Sequence, residues 1–123
     1  MLDMNLVIPP MLEDIIALEP QFPDMVAEFP LAVLTPLDTG SGVIISGEER
    51  LCSAAFQIDV YDTDLRRCTE TALEISRRLI ARGFVRNSGA DIREDGLHRH
   101  TLTFSGFIDE HTGNIHRRNT WNT

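Results

Sequence analysis

The sequence contains no lysine. Its eleven basic residues are all arginine, against nineteen aspartates and glutamates, for a formal net charge of −8. An acidic chain is a poor candidate for gripping phosphates, so binding of nucleic acid through a basic surface is not expected. No apolar run approaches the roughly 18 residues of a membrane span. The opening MLDMNLVIPP has no basic stretch and carries Asp3, so a secretory signal is not expected, and the simplest reading is a soluble cytosolic chain. Cysteine is scarce: Cys52 and Cys68, without CxxC spacing, argue against zinc and redox chemistry and are expected to be two buried free thiols. No GxSxG elbow, Walker loop or GxGxxG loop occurs, so nucleophilic and nucleotide-binding chemistry lack their usual scaffolds.

What is present is an ordinary globular composition, 42% hydrophobic over 123 residues, enough for one domain, 1–123, with one core. Residues 5–18 carry an apolar face at helical spacing (Ile8, Leu12, Ile15, Ile16) and predict a short helix, with Pro9 and Pro10 in its first turn and Pro20 beyond its end. Residues 21–30 predict a second helical turn plus a loop. Residues 31–37, LAVLTPL, predict a strand, at an edge because of Pro36. Residues 38–49, DTGSGVIISGEE, predict a long flexible loop or an extended hairpin arm.

The clearest strand is 50–62, where Phe56, Ile58 and Val60 alternate with Gln57, Asp59 and Tyr61. The period then changes. Leu65, Cys68, Ala72, Ile75 and Leu79 predict an amphipathic helix of about five turns, with Asp62 or Thr63 as N-cap, Asp64 in the first turn and Gly83 just past the end. Residues 84–95 predict a broken strand, Asp95–Gly96 a hairpin turn, and 97–110 a second long strand. After a turn at EHTGN, residues 115–123 predict a short strand or tail, with 117–123 as the tail and Trp121 as an anchor. The order predicts an α+β fold: a mainly antiparallel sheet with one long amphipathic helix packed on a face, plus a short N-terminal helix.

Three motifs could carry chemistry. LDTGS at 37–41 spells an aspartic-protease half-site. Such a site needs two loops whose carboxylates share a proton. Here one copy exists, the expected second motif is matched only by FSG at 104–106, and a helix fills the span where a small barrel needs strands. His98 and His100 share a strand face, with His111 and His116 across a turn, so three could converge on a metal. Arg99, Arg117 and Arg118 crowd that region, and surface histidines are the plainer reading. Arg66–Arg67 and Arg77–Arg78 lie on helix faces among Glu70 and Glu74, where pairing within the helix accounts for part of their charge. No catalytic residue, metal or cofactor is assigned. Assembly fits better than catalysis: the apolar Val43–Ile45 in a Gly/Ser stretch and the long hairpin edges both invite a partner.

From residue 56 onward the order FQIDVYDTD, a long helix ending LIARGFVR, then EDGLHRHTLTFSGFID and TGNIHRR resembles the tail-completion proteins of tailed bacteriophages, the tail terminators and head–tail joining proteins. Phe56–Tyr61, Gly83–Phe84, Glu94–Asp95 and Thr112–Gly113 carry the likeness, which covers about two-thirds of the chain. His116 departs from the aromatic often found there, and 38–49 aligns with nothing. The resemblance implies a virion protein assembled in the host cytoplasm. It forms a homo-oligomeric ring, typically a hexamer, on the tail tube protein. It docks the head–tail connector or stopper protein and leaves an acidic channel through which DNA passes without specific binding; no membrane is involved. On this reading the contact loop between rings or subunits is Thr39, Gly40, Ser41, Gly42, Val43, Ile44, Ile45, Ser46 and Gly47. The lumen or ring-face carboxylates are Asp38, Glu48, Glu49, Asp91, Glu94 and Asp95. Rival readings are another neck, stopper or adaptor protein, a small dimeric acid protease or His-metal enzyme, and an acidic binding module unrelated to phage.

Overall fold

The computed structural model describes residues 3–45, 48–94, 96–109 and 115–116. The long helix is α3, Leu65–Arg82. It starts where Asp64 accepts a hydrogen bond from the Arg67 N–H at 3.2 Å. Asp64 is thus the N-cap, not Asp62 or Thr63 as expected, because the Asp62 carboxylate is engaged by the Arg67 side chain. The helix stops at Gly83, whose φ of 116° is left-handed and lets its N–H reach Ile80 and Leu79 carbonyls. The Phe84 N–H then bonds Leu79 O at 3.0 Å, turning the chain into the next strand.

The N-terminal region differs from expectation. It forms two single helical turns, α1 (Met4–Val7) and α2 (Pro9–Leu12), rather than one helix over 5–18. Pro9 and Pro10 lack the N–H groups that would carry helical bonding across the junction, so Ile8 ends one turn and begins the next. The chain continues into a two-residue strand, β1 (Leu18–Glu19). Residues 20–30 contain no helix, contrary to expectation: Pro20, Pro23 and Pro30 deny donors and fix φ through the stretch.

The remaining strands are β2 (Leu31–Ile45), β3 (Glu48–Asp62), β4 (Val85–Glu94), β5 (Leu97–Asp109) and β6 (Ile115–His116). The sheet order is β1-β2-β3-β5-β4, with β6 on β5. β1 pairs with β2 in parallel at Leu18–Ala32 and Glu19–Val33, and every other pairing is antiparallel. The fold is α+β, with a mostly antiparallel sheet, one long helix and short N-terminal helical turns.

The core lies on the helix side of the sheet. It joins Cys68, Ala72, Ile75 and Leu79 of α3 to Ile58 and Val60 of β3, Leu102 and Ile108 of β5, Leu34 of β2, and Met4, Ile8 and Leu12 of the N-terminal turns. Three phenylalanines knit its centre: Phe56 stacks on Phe104 at 5.6 Å and meets Phe84 edge-on at 5.1 Å. Truncating a buried phenylalanine of this kind costs about 3–5 kcal/mol. Arg78 ties the N-terminal turns to α3 by donating to Met11 O and to both carboxylate oxygens of Asp14.

Candidate assembly surface

Alternation along β3 and β5 gives the sheet a second face, away from α3. It carries Gln57, Asp59 and Tyr61 of β3 and Arg99, Thr101, Thr103 and Ser105 of β5, matched by cross-strand register. The sequence placed Gln57 and Asp59 on this outward face, but not the burial of Asp59. Its carboxylate accepts from Gln57 Nε2 at 2.9 Å, Thr101 Oγ1 at 2.6 Å and Arg99 Nε at 3.2 Å, and the residue is 3% exposed. Three donors on one carboxylate fix the β3–β5 ladder at that level, and the Arg99 guanidinium offsets its charge. Towards β4 the face continues in hydroxyls and amides, with Ser88 against Thr103 and Asn87 donating to Ser105. At the opposite side Phe22 meets Tyr61 edge-on at 4.9 Å, and Arg99 lies over the Tyr61 ring. The segment after β1 therefore wraps from the helix side onto the outward face.

Two strand edges are open among the described residues. β4 has β5 as its strand neighbour and nothing beyond. β2 is covered by β1 at Ala32 and Val33, and past Val33 its strand neighbour is β3. An uncovered edge presents N–H and C=O groups that can pair with another chain.

The flank of α3 facing β4 is apolar. At roughly 100° per residue, Leu73 and Ile80 project within about 20° of each other and Arg78 about 140° from Leu73. Arg78 points to the N-terminal turns, so Leu73 and Ile80 point the other way, towards the β4 side. They are 44% and 51% exposed. Val85 and Ile92 of β4, level with Ser105 and Arg99, are exposed on the opposite, outward face. Sequence periodicity assigned the buried stripe of α3 but did not single out this flank, although its Leu and Ile are visible in it.

The sequence-derived residues fall into two groups that the fold separates. Asp38 and the stretch Thr39–Ile45 form the second half of β2, paired with β3 up to Ile44–Glu49 and Ile45–Glu48, with register shifts at Pro36/Asp38 and on both sides of Val43. The expected loop or hairpin arm is thus a strand-paired hairpin at its described positions. Ser46 and Gly47 lie outside the described residues, as do Asp95, His111 and the 117–123 tail. Asp91 pairs with His100, and Glu94 with Leu97, on the β4 edge. Leu97 is at the start of β5, whereas the hairpin leaves the sheet near Asp109 at its end. At about 3.3 Å per residue the backbone of Glu48 and Glu49 is therefore about 40 Å or more along the strands from that of Glu94, whereas Asp38, paired with Ala55 and so level with Ser105, is only about 17 Å along from Asp91, level with His100.

His98 and His100 lie on the helix-side face of β5, across from Asp62 and Val60, rather than on a solvent face as expected from a surface hairpin. His100 Nδ1 is buried and makes no hydrogen bond, and no group of three His, Cys, Asp or Glu able to hold a metal occurs among the described residues. Cys52 and Cys68 are both buried thiols. The Cys68 thiol donates to Val60 O at 3.3 Å, and burial, with Asp62 and Asp91 nearby, pushes it up to about 11. A thiol held there is protonated at neutral pH and is a poor nucleophile. No described helix is long and apolar enough to cross a membrane. Compared with known proteins, the chain matches no family model and no curated sequence.

Proposed function

We propose that the chain is a structural, non-catalytic subunit that closes into a homo-oligomeric ring, serving as a tail terminator of a tailed bacteriophage. The observation that supports this best is the pair of open strand edges on opposite sides of one sheet, with an apolar helix flank beside one of them. Head-to-tail contact between unlike edges generates a ring when the rotation closes, and closure covers every edge. The amphipathic α3, packed on one face, leaves the other face free to line or border the opening.

In that role the ring sits on the tail tube protein, in the virion, and receives the head–tail connector or stopper at its other side. The hairpin arm carrying Thr39–Ile45 and the β4 end carrying Asp91 and Glu94 supply the two ends of the subunit. The outward sheet face suits a channel for DNA: it is rich in hydroxyls, and its Arg99 is paired with Asp59. Arg67 and Arg78 are likewise paired with carboxylates. A net charge of −8, with these three arginines paired, repels phosphates and lets DNA pass without a grip.

The test is the mass of the purified chain by light scattering over a concentration series, alone and with tail-tube protein. Rings of about six copies, or rings nucleated by the tube, are expected. A monomer indifferent to concentration and to tube protein would sink the reading.

A further inference from the structure

A cavity of about 610 Å³ opens at the β1 side of the sheet. Ile16, Val26, Phe29 and Leu31 line it, and Glu19 and Glu28 border it. Its volume is in the range of sites that enclose a large side chain or small ligand. The chemistry it invites is a bulky apolar group with positive charge beside it.

This sequence holds that combination at one place outside the described residues: Arg117, Arg118 and the single tryptophan, Trp121. Trp and Arg are the residue types that most often dominate interface energies. The fold decides whose Trp121 could arrive. His116 pairs with Phe107 on β5. The cavity residue Leu31 is level with Tyr61 and so with Arg99 of β5, eight positions from Phe107. That is ~26 Å along the strand, and the three strand spacings from β6 to β2 add ~14 Å sideways, a direct span of ~30 Å. Trp121, five residues past His116, reaches at most ~18 Å even fully extended. The span from His116 to Leu31 therefore favours the segment of another copy over the chain's own.

We propose that the cavity is the docking site for the 117–121 segment of a neighbouring copy, with Trp121 against Val26 and Phe29 and the two arginines against Glu19 and Glu28. This deepens the ring reading, on which it rests for the presence of neighbours, by naming a contact between copies.

The experiment titrates a fluorescein-labelled peptide with the sequence of residues 116–123 into full-length Trp121→Ala chain, whose own segment lacks the tryptophan. Saturable rise in anisotropy is expected, weakened at least tenfold by Val26→Glu in the chain, and abolished when the peptide's tryptophan is alanine. Melting curves confirm that the partly buried Val26 position tolerates the change. The pair Glu19→Arg and Glu28→Arg, on the rim, gives a second route: it should remove the salt sensitivity of binding and weaken it several-fold. No saturable binding, or binding untouched by both sets of variants, overturns the proposal. Light scattering on the same stocks separates the two readings. Peptide binding with a strictly monomeric chain keeps the site and removes the ring. Rings without peptide binding do the reverse.

Discussion

Arg67 closes a two-pronged ion pair on Asp62, the residue five before it, with Nε and one terminal nitrogen each 2.6 Å from a carboxylate oxygen. The Asp62 side chain is fully buried while that of Arg67 is half exposed. Asp62 also accepts from the Asp64 N–H, which sets the turn before α3. The pair therefore joins the end of β3 to the first turn of the helix. Asp62→Ala should destabilise the fold by about 1–3 kcal/mol, below the 3–5 of a fully enclosed pair because Arg67 can turn to water. Urea melts check it. A change within ~0.5 kcal/mol, the usual range for a surface substitution, would show the pair to be idle.

Acid should unfold the chain in a defined window. The Arg78 hydrogen bonds hold the Asp14 carboxyl down at about 2, from 3.8, and the Arg67 hydrogen bonds hold Asp62 below the usual carboxylate range. In the unfolded chain both titrate normally, so that state binds more protons between about pH 4 and pH 2. The stabilisation is complete above about pH 4 and is lost as pH falls towards 2. Thermal melts from pH 6 to pH 2 should show this decline, and Asp14→Asn should flatten it. An unchanged slope in that variant would mean that the Asp14–Arg78 pair does not contribute.

Gly106 is a packing glycine. A Cβ there would stand 2.8 Å from Cδ1 of Phe84, which is 2% exposed and held edge-on against Phe56. The ring has nowhere to retreat, so Gly106→Ala should cost about 1–3 kcal/mol as an overpacked site. The midpoint of chemical denaturation measures it, with Gly89→Ala as control: a Cβ at Gly89 meets Leu102 at an ordinary 3.5 Å.

LDTGS makes a separate prediction. Asp38 is in a strand paired with Ala55, and no second Asp-Thr-Gly exists to meet it. Neither the native chain nor Asp38→Asn should cleave an acid-protease substrate between about pH 2 and pH 5, roughly the range in which paired carboxylates share a proton. Cleavage by the native chain that Asp38→Asn abolishes would restore the protease reading.

Strands 50–62 and 97–110 and the helix were legible because each buries one side: a period of two or 3.6 is the direct imprint of a core face. The N-terminal turns were misread because the apolar spacing of Ile8, Leu12 and Ile15 outweighed Pro9 and Pro10, whose missing donors decide the local bonding. The N-cap moved from Asp62 to Asp64 because a cap is chosen by which carboxylate a distant guanidinium leaves free, and neighbouring aspartates look alike in sequence. The hub at Asp59 could not be read at all. Its partners Arg99 and Thr101 lie some 40 residues away, and only strand register brings them together.

On the ring reading, the flank beside β4 gives the sharpest test of where copies would meet. Leu73 and Ile80 are exposed on α3 and outside the buried stripe, so a charge there costs the folded subunit little. At a contact between subunits the same charge would be buried against apolar groups without a partner, which is strongly unfavourable. Leu73→Arg with Ile80→Glu should therefore leave the melting temperature of the isolated subunit within a few degrees of native while abolishing concentration-dependent assembly in light scattering. Leu6→Arg serves as control, since Leu6 is 73% exposed on α1, at the other side of the helix layer. Loss of assembly in the α3 variant with retention in the control would assign the β4 side to the ring contact. Assembly retained in both would move the contact to the β2 edge and its hairpin.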